Sequence, residues 1–193
     1  MNPKALVRST IETVGDRTAL AVAALLARRA DRRGFSRIVV LDIDNTLADA
    51  WPTFLVPHAS ERKRLASISP LPGMKRATHD RAVNDGSLVA YVSHRNLWHY
   101  PVTYRWLRDQ GYTVSVMNLM LVSSPALKPA ILRILAAGRE LTVWDDLSAG
   151  HETGTVRHYD DVRAEVETIA TEYFGLDSIH EVVSGALRSD EGP

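Results

Sequence analysis

The feature that most constrains the fold is a run of four apolar residues, Ile-Val-Val-Leu at 38–41, that stops abruptly at Asp42. A β-branched run without polar alternation is typical of a strand that is buried on both faces, as in a parallel sheet. Comparable apolar runs occur at 88–92 and 141–144, and each is also followed by a polar residue. Ligands of open parallel sheets bind beyond the carboxyl ends of the strands. We therefore expect a functional site where these polar residues meet.

Segments with a helical pattern alternate with these runs along the chain. Apolar spacing and the positions of Gly and Pro predict where the remaining elements begin and end. The predicted helices lie at 18–33, 73–84, 103–110, 128–137, 162–174 and 178–187, with further strands at 112–119 and, shorter, at 156–159. The alternation predicts an α/β fold in three layers, a doubly wound parallel sheet of Rossmann type with helices on both faces.

The length of 193 residues is sufficient for one substantial core, so we expect a single domain. Residues 37–161 are predicted to form the core, preceded by a helical extension at 1–36 and followed by C-terminal helices at 162–193. Between the first two strands, residues 48–71 are rich in proline and lack a regular pattern. We interpret this segment as a short flap over the site.

Composition excludes several classes of protein. The 23 basic and 23 acidic residues balance, so the chain lacks the summed positive potential that would make nucleic acid a default partner. The absence of cysteine excludes thiolate metal sites and cysteine nucleophiles. The longest apolar stretch, at 19–27, is far short of the roughly 20 residues that span a bilayer, so no membrane association is expected. Without a charged and apolar leader, the chain is expected to be cytoplasmic.

The polar residues at the predicted strand ends suggest a particular chemistry. Asp42 and Asp44 lie two residues apart where the first strand ends. One interpretation is a polar turn in which Asp44 or Thr46 caps the next segment. The alternative takes in the rest of the chain, because Ser93, Lys128 and the pair at 145–146 supply a hydroxyl, a cation and further carboxylates. Together they would complete a magnesium-assisted site for phosphoryl transfer.

These residues match, in order, the four motifs of the haloacid dehalogenase superfamily, which the chain resembles over residues 37–161. The first motif, Asp-x-Asp-x-Thr, is present as Asp-Ile-Asp-Asn-Thr at 42–46. Ser93 matches the second motif, Lys128 the third, and the acidic pair at 145–146 the fourth. The resemblance implies a Rossmann-like phosphatase with a minimal cap.

The family's roles for carboxylates can be assigned to this chain residue by residue. Asp42 would be the nucleophile, and Asp44 would be the general acid and base, protonated at the start of the reaction. The resemblance implies Mg²⁺ as the cofactor. Its ligands would be Asp42, Asp44 through the backbone carbonyl, and Asp145, with Asp146 supporting the ion from nearby.

Other residues would bind the substrate. Ser93 and Lys128 would contact the phosphoryl group, and Thr46 would orient the first motif's loop. His94 and Arg95 follow Ser93, and Arg95 either binds phosphate or the leaving group, or lies in a surface loop. The predicted substrate-binding set is therefore Thr46, Ser93, His94, Arg95 and Lys128.

Residues outside the motifs leave further alternatives open. Trp51 and Phe54 either stack on a substrate ring or pack the flap against the core. The charged run at 61–64 is interpreted as a solvated flap surface, with recognition of an anionic substrate as the alternative. His151, close after the acidic pair, is expected to border the site.

The expected activity is magnesium-dependent hydrolysis of a phosphate monoester through an aspartyl-phosphate, because an acid at Asp44 points to phosphate esters within this superfamily. A small phosphorylated metabolite is the favoured substrate. One alternative is a phosphatase that acts on a nucleotide or a nucleic-acid phosphate end, which the short cap and the arginines at 28–33 would suit. The other is a binding module that retains the fold without the chemistry.

Overall fold

A computed structural model describes residues 3–150 and 155–190 of the chain. Its central sheet has five parallel strands in the order β5-β4-β1-β6-β9. In chain order, the strands of this sheet are β1 Arg37–Leu41, β4 Leu88–Ser93, β5 Leu119–Leu121, β6 Glu140–Trp144 and β9 Glu172–Phe174. The predicted buried parallel sheet is confirmed, and the apolar run at 38–41 forms its central strand.

Helices cover both faces of this sheet. The main ones are α1 Pro3–Arg33, α5 Tyr100–Asp109, α6 Lys128–Ala136, α7 Asp160–Ile169 and α8 Leu176–Asp190. Because side chains alternate along a strand, Ile38 and Val40 face a core with α1, α6 and α7, whereas Val39 and Leu41 face a core with α5 and α8. The predicted three-layer α/β/α arrangement is therefore confirmed. No helix in the described part of the chain has the length and apolar character needed to cross a membrane.

The strand predicted at 112–119 is wrong, because β5 begins only at Leu119. The preceding residues form a turn that the Asn118 side chain holds together. Its Oδ1 accepts a hydrogen bond from the Ser115 N–H at 2.7 Å, and its Nδ2 donates to the carbonyl oxygens of Val89 and Thr113 at 3.1 Å each. A side-chain amide thus occupies backbone groups that a strand ladder would have used.

The helix predicted at 162–174 ends at Ile169, so the C-terminal region is not wholly helical. After an extended Ala170, the chain joins the edge of the sheet as β9, and the Thr171 N–H donates to the Leu141 carbonyl at 2.8 Å. Phe174 stacks on Trp144 with ring centroids 4.2 Å apart. Burial of this aromatic pair outweighs the local helical pattern.

The segment 48–71, predicted to be irregular, contains short regular elements. Two short helices, α2 Trp51–Phe54 and α3 Glu61–Ala66, are closed at their base by antiparallel pairing of β2 Ala48–Asp49 with β3 Ser69–Pro70. Ser60 caps α3 by accepting a hydrogen bond from the Lys63 N–H. We call residues 48–71 the flap below.

The remaining elements depart less from the predictions. The stretch predicted as a helix at 73–84 contains a π-helical turn, Arg76–Asp80, that continues into α4 Arg81–Asn84. The short strand predicted at 156–159 is present as β8 Arg157–His158, paired with β7 Ser148–Ala149. His151 lies outside the described residues.

Candidate active site

A cavity of about 380 Å³ lies beyond the carboxyl ends of the central strands. Eight of the nine predicted site residues line it, namely Asp42, Asp44, Ser93, His94, Arg95, Lys128, Asp145 and Asp146. The ninth, Thr46, is fully buried and does not line the cavity. The sheet thus brings together side chains that are more than a hundred residues apart in sequence, such as Asp42 and Asp146.

The first motif leaves β1 as a tight loop around one carbonyl group. The Ile43 carbonyl accepts hydrogen bonds from the N–H groups of Leu47 and Ala48 at 2.9 and 2.8 Å. Asn45 has a φ of 55°, in the left-handed region that asparagine tolerates better than most residues. The Asp42 N–H donates to the Trp144 carbonyl at 2.9 Å, which fixes the start of the loop to β6.

Three carboxylates converge at the base of the cavity. Asp42, Asp145 and Asp146 are buried, and each offers one oxygen within 4.8 Å of the others. Carboxylate oxygens are the ligands that hard divalent cations take, so this cluster could hold a metal ion. The Asp44 side chain is not part of this cluster.

The fourth motif is held by its own backbone. Leu147 has a φ of 43°, unusual for a branched side chain, and its N–H donates to Asp145 Oδ1 at 3.1 Å. Strained residues of this kind concentrate at functional sites. The Ser148 hydroxyl donates a hydrogen bond to Asp146 Oδ2. The strain at Leu147 and the contact of Ser148 left no signal in the sequence pattern.

Lys128, the first residue of α6, bridges two of these carboxylates. Its Nζ is 3.1 Å from Asp42 Oδ1 and 2.6 Å from Asp145 Oδ2, and the side chain is buried. Burial opposes the charge of Lys128, but the attraction of Asp145 and Asp42 outweighs it and raises the pKa of the ammonium group. Lys128 therefore stays charged and orients Asp42.

All three carboxylates of the cluster resist ionisation, because burial raises the pKa of each. Burial, together with the neighbouring Asp145, raises the pKa of Asp42 to about 7 against the opposing effect of Lys128. Burial, together with Asp42, also raises the pKa of Asp146 to about 7. The repulsion that a cation would relieve is thus already present.

Asp44 forms a separate ion pair with Arg95. The guanidinium donates from Nε and Nη2 to the two oxygens of Asp44, both at 2.7 Å, and from Nη1 to the Thr103 hydroxyl at 3.1 Å. Burial raises the pKa of Asp44, but Arg95 outweighs it and holds this pKa below its ordinary value. The ion pair thus favours the ionised form of Asp44, whereas the predicted role requires the protonated form at the start of the reaction. Arg95 is buried against Asp44 and is not a surface-loop residue.

Ser93 and Thr46 take different positions. The Ser93 side chain lines the cavity, and its hydroxyl has no hydrogen-bond partner among the described residues. In contrast, the Thr46 hydroxyl accepts from the Asp146 N–H at 3.2 Å and lies 3.4 Å from Asp146 Oδ1. Thr46 therefore joins the first and fourth motifs as a positioning residue and not as a substrate contact.

His94 also lines the cavity and contacts the loop that precedes Lys128. Its Nε2 donates to the Ser123 carbonyl at 3.1 Å, and burial lowers the pKa of its ring. Ser123 in turn donates from its N–H and hydroxyl to Asp16 of α1, at 2.8 and 2.6 Å. This link between α1 and the loop before Lys128 was not predicted, because it joins segments that lack a common motif.

The flap supplies one wall of the cavity, through Phe54, Glu61, Arg64 and Leu65. Arg64 is buried, which contradicts the interpretation of 61–64 as a wholly solvated surface. Of the two flap aromatics considered, Phe54 lines this cavity. Trp51 lines a different one, together with Leu71 and Val183.

Comparisons with known proteins add little beyond the fold. No protein-family model matches the chain, and no curated protein does. Two solved structures of the Class C acid phosphatase from Bacillus anthracis, the second with tungstate bound, are 16% identical to it, with TM-scores of 0.48 and 0.47. They cover 70% and 71% of this chain, which spans 62% and 63% of theirs, less than two thirds. At this identity and TM-score the likeness says nothing about substrate or mechanism.

The class of protein is defined by the chain's own features. It resembles the haloacid dehalogenase superfamily in the order of its four motifs, in its parallel sheet and in the buried acidic cluster at the strand ends. The sheet and the cluster agree with the resemblance that the motifs predicted.

Proposed function

We propose that the protein hydrolyses phosphate monoesters, with Asp42 as the nucleophile and Mg²⁺ as the cofactor. One observation carries this proposal. Asp42, held by the buried Lys128, shares a cavity with the buried Ser93 hydroxyl and with the carboxylates of Asp145 and Asp146. A nucleophile, a donor for phosphoryl oxygens and ligands for a divalent cation are the groups that phosphoryl transfer requires.

The residues fit a magnesium ion. Asp42, Asp145 and Asp146 would hold it through side-chain oxygens, with the backbone carbonyl of Asp44 as a further ligand. When bound, Mg²⁺ would offset the negative charge of the phosphoryl oxygens and of the carboxylates around them.

In the first half of the reaction, an Asp42 oxygen attacks phosphorus. A bond forms between this oxygen and phosphorus as the ester P–O bond breaks, and the leaving oxygen takes a proton from Asp44. Lys128 keeps Asp42 oriented and neutralises the phosphoryl group, while Ser93 donates a hydrogen bond to it. Because Asp44 is paired with Arg95 in this state, it must first gain its proton. The negative charge of an incoming phosphate favours that by raising the pKa of Asp44.

In the second half, water hydrolyses the aspartyl-phosphate. Asp44, again an anion beside Arg95, accepts the proton of the attacking water. Phosphate leaves, and Asp42 returns to its ion pair with Lys128. Asp44 thus alternates between two states, and its ion pair with Arg95 favours the ionised one.

Hydrolysis of para-nitrophenyl phosphate tests the proposal. We expect turnover with Mg²⁺, no turnover in excess chelator, and a loss of roughly a thousandfold or more in Asp42→Asn with the circular dichroism spectrum unchanged. Asp109→Asn, at the exposed end of α5, is the matched control and should retain full activity. Turnover that persists in chelator or in Asp42→Asn contradicts the proposal.

A further inference from the structure

The flap wall of the cavity is organised around Arg64, whose guanidinium group contacts three other flap residues. Its Nε and Nη2 donate to the two oxygens of Glu61 at 2.9 and 2.6 Å, and its Nη1 donates to the Thr53 hydroxyl at 2.9 Å. The guanidinium carbon lies 4.0 Å from the centre of the Phe54 ring. A planar guanidinium that is bonded at its edges and stacked on a ring loses little further freedom on binding a ligand.

Two groups of this wall remain available to a ligand. Phe54 is 41% exposed at the mouth of the cavity. Glu61 has a side chain that is half-exposed. Within the described part of the chain, each of its oxygens accepts one of the two hydrogen bonds that a carboxylate oxygen can readily accept. The wall thus presents an apolar ring beside a hydrogen-bond acceptor.

The lysine and arginine side chains that line the cavity are already committed to carboxylates. Among the described residues these cations are Arg64, Arg95 and Lys128, and each is paired with one carboxylate or two. Five carboxylates line the same cavity, so two negative charges remain when all five are ionised, as they would be around a bound cation. A bound divalent cation would balance these two charges, and a phosphate dianion would restore the excess.

Histidines do not alter this balance near neutral pH. His99 stands on the wall of the cavity, close enough to Glu61 to interact with its charge, and burial lowers the pKa of its ring. His94 also lines the cavity, and burial lowers the pKa of its ring as well. Neither ring supplies a standing positive charge for a second anionic group of the substrate.

From this arrangement we propose that the leaving group of the substrate is uncharged or cationic, carries N–H or O–H donors for Glu61 and has a flat apolar face for Phe54. The inference rests on the proposed function, because it concerns the part of the substrate beyond the scissile phosphate. Monoesters whose leaving group bears a carboxylate or a second phosphate, and phosphorylated ends of nucleic acids, are disfavoured by the uncompensated charge of the cavity.

Three aryl phosphates of nearly equal size test the proposal: para-aminomethylphenyl, para-methylphenyl and para-carboxyphenyl phosphate. We expect kcat/KM to be about tenfold higher for the cationic than for the anionic ester, with the neutral ester between them. Each kcat/KM is divided by the rate constant for uncatalysed hydrolysis of the same ester, so that differences in leaving-group reactivity do not produce this order.

The Glu61→Gln variant assigns the preference to the flap. It removes one negative charge and releases Arg64, and both changes favour an anionic leaving group. We expect the ratio of kcat/KM for the cationic over the anionic ester to fall by about threefold to tenfold. Glu140→Gln is the matched control, because Glu140 also pairs with an arginine, Arg37, but lies at the opposite end of the sheet. In Glu140→Gln, the ratio of kcat/KM for the cationic over the anionic ester should equal that of the wild type.

The outcomes separate the two proposals. Failure to hydrolyse any of the three esters with Mg²⁺ contradicts the proposed function itself. Hydrolysis of all three without a charge preference, or with a preference for the anionic ester, overturns only the inference about the leaving group. An unchanged ratio in Glu61→Gln overturns it as well.

The Phe54→Ala variant, altered at an exposed ring, is a second probe. We expect it to lower kcat/KM for the neutral aryl ester by about fivefold, and an unchanged value contradicts the role of Phe54.

Discussion

The two walls of the cavity are built on different principles. At the strand ends, Asp42, Lys128 and Asp145 come from three separate elements and are all buried. On the flap, Glu61 and Arg64 are three residues apart on one short helix, and Glu61 is half-exposed. The first wall depends on the whole sheet, whereas the second depends on local contacts. Changes at the two walls should therefore differ in their effect on stability as well as on activity.

The largest effect is expected for Lys128→Met. Removing one partner of a buried charge cluster leaves Asp42 and Asp145 facing each other without compensation, which costs about 3–5 kcal/mol in the free energy of unfolding. Denaturant titration without metal measures this loss. Mg²⁺ should restore part of it, because a ligand that binds only the folded state stabilises that state.

Lys63→Met, at an exposed lysine of the flap, is the control for this variant. It should change the free energy of unfolding by less than about 0.5 kcal/mol. If Lys128→Met is no less stable than Lys63→Met, the strand-end wall does not depend on charge compensation.

A smaller effect with a defined pH dependence is expected for Arg95→Met. Arg95 holds the pKa of Asp44 below its ordinary value of 3.8. The pair therefore contributes its full stability above that value and loses it as the pH falls through the lowered pKa. Arg95→Met should cost about 2 kcal/mol near pH 7, and the difference from the wild type should shrink below about pH 4.

Unfolding at several pH values measures this difference. Arg108→Met is the control, because the Arg108 side chain is exposed and its ion pair, with Asp109, is exposed as well. A difference that stays constant from neutral to acidic pH would show that Asp44 does not titrate against Arg95.

The smallest effect is expected for the flap. Glu61 is half-exposed, and glutamine still offers an acceptor to the buried Arg64. Glu61→Gln should therefore lower the free energy of unfolding by only about 0.5 kcal/mol. Thermal or denaturant unfolding of the variant provides the check. A loss above about 2 kcal/mol would indicate that the flap wall is coupled to the core and that the two walls are not independent.

The same contrast explains what the sequence could predict. Asp42, Ser93 and Asp145 were predictable because each follows an apolar run whose burial fixes the edge at which it ends. The contact between Asp44 and Arg95 was not predictable from the sequence. It depends on a turn after β4, in which the Arg95 N–H donates to the Ser93 carbonyl at 2.9 Å. The strand pattern was therefore sufficient to predict which residues lie at the site. Which of them pair with each other depends on the conformation of the loops.

The structure of two peripheral segments also could not be predicted from the local sequence pattern. β9 is a short edge strand whose position is set by the stacking of Phe174 on Trp144, its partner residue on the neighbouring strand β6. The burial of Arg64 depends on Thr53 and Phe54 folding back over it. In both cases tertiary contacts override the propensity of the segment.

The central claim is that Asp42 carries the phosphoryl group during turnover, and Asp44→Asn offers the most direct test of it. Without its base, hydrolysis of the intermediate should slow more than its formation from an activated aryl ester, whose leaving group needs little protonation. Acid quenching during turnover, followed by peptide mass spectrometry, should then find the phosphoryl group on Asp42. A phosphoryl group on Ser93 or His94, or none on the protein while the ester is being hydrolysed, would contradict the account.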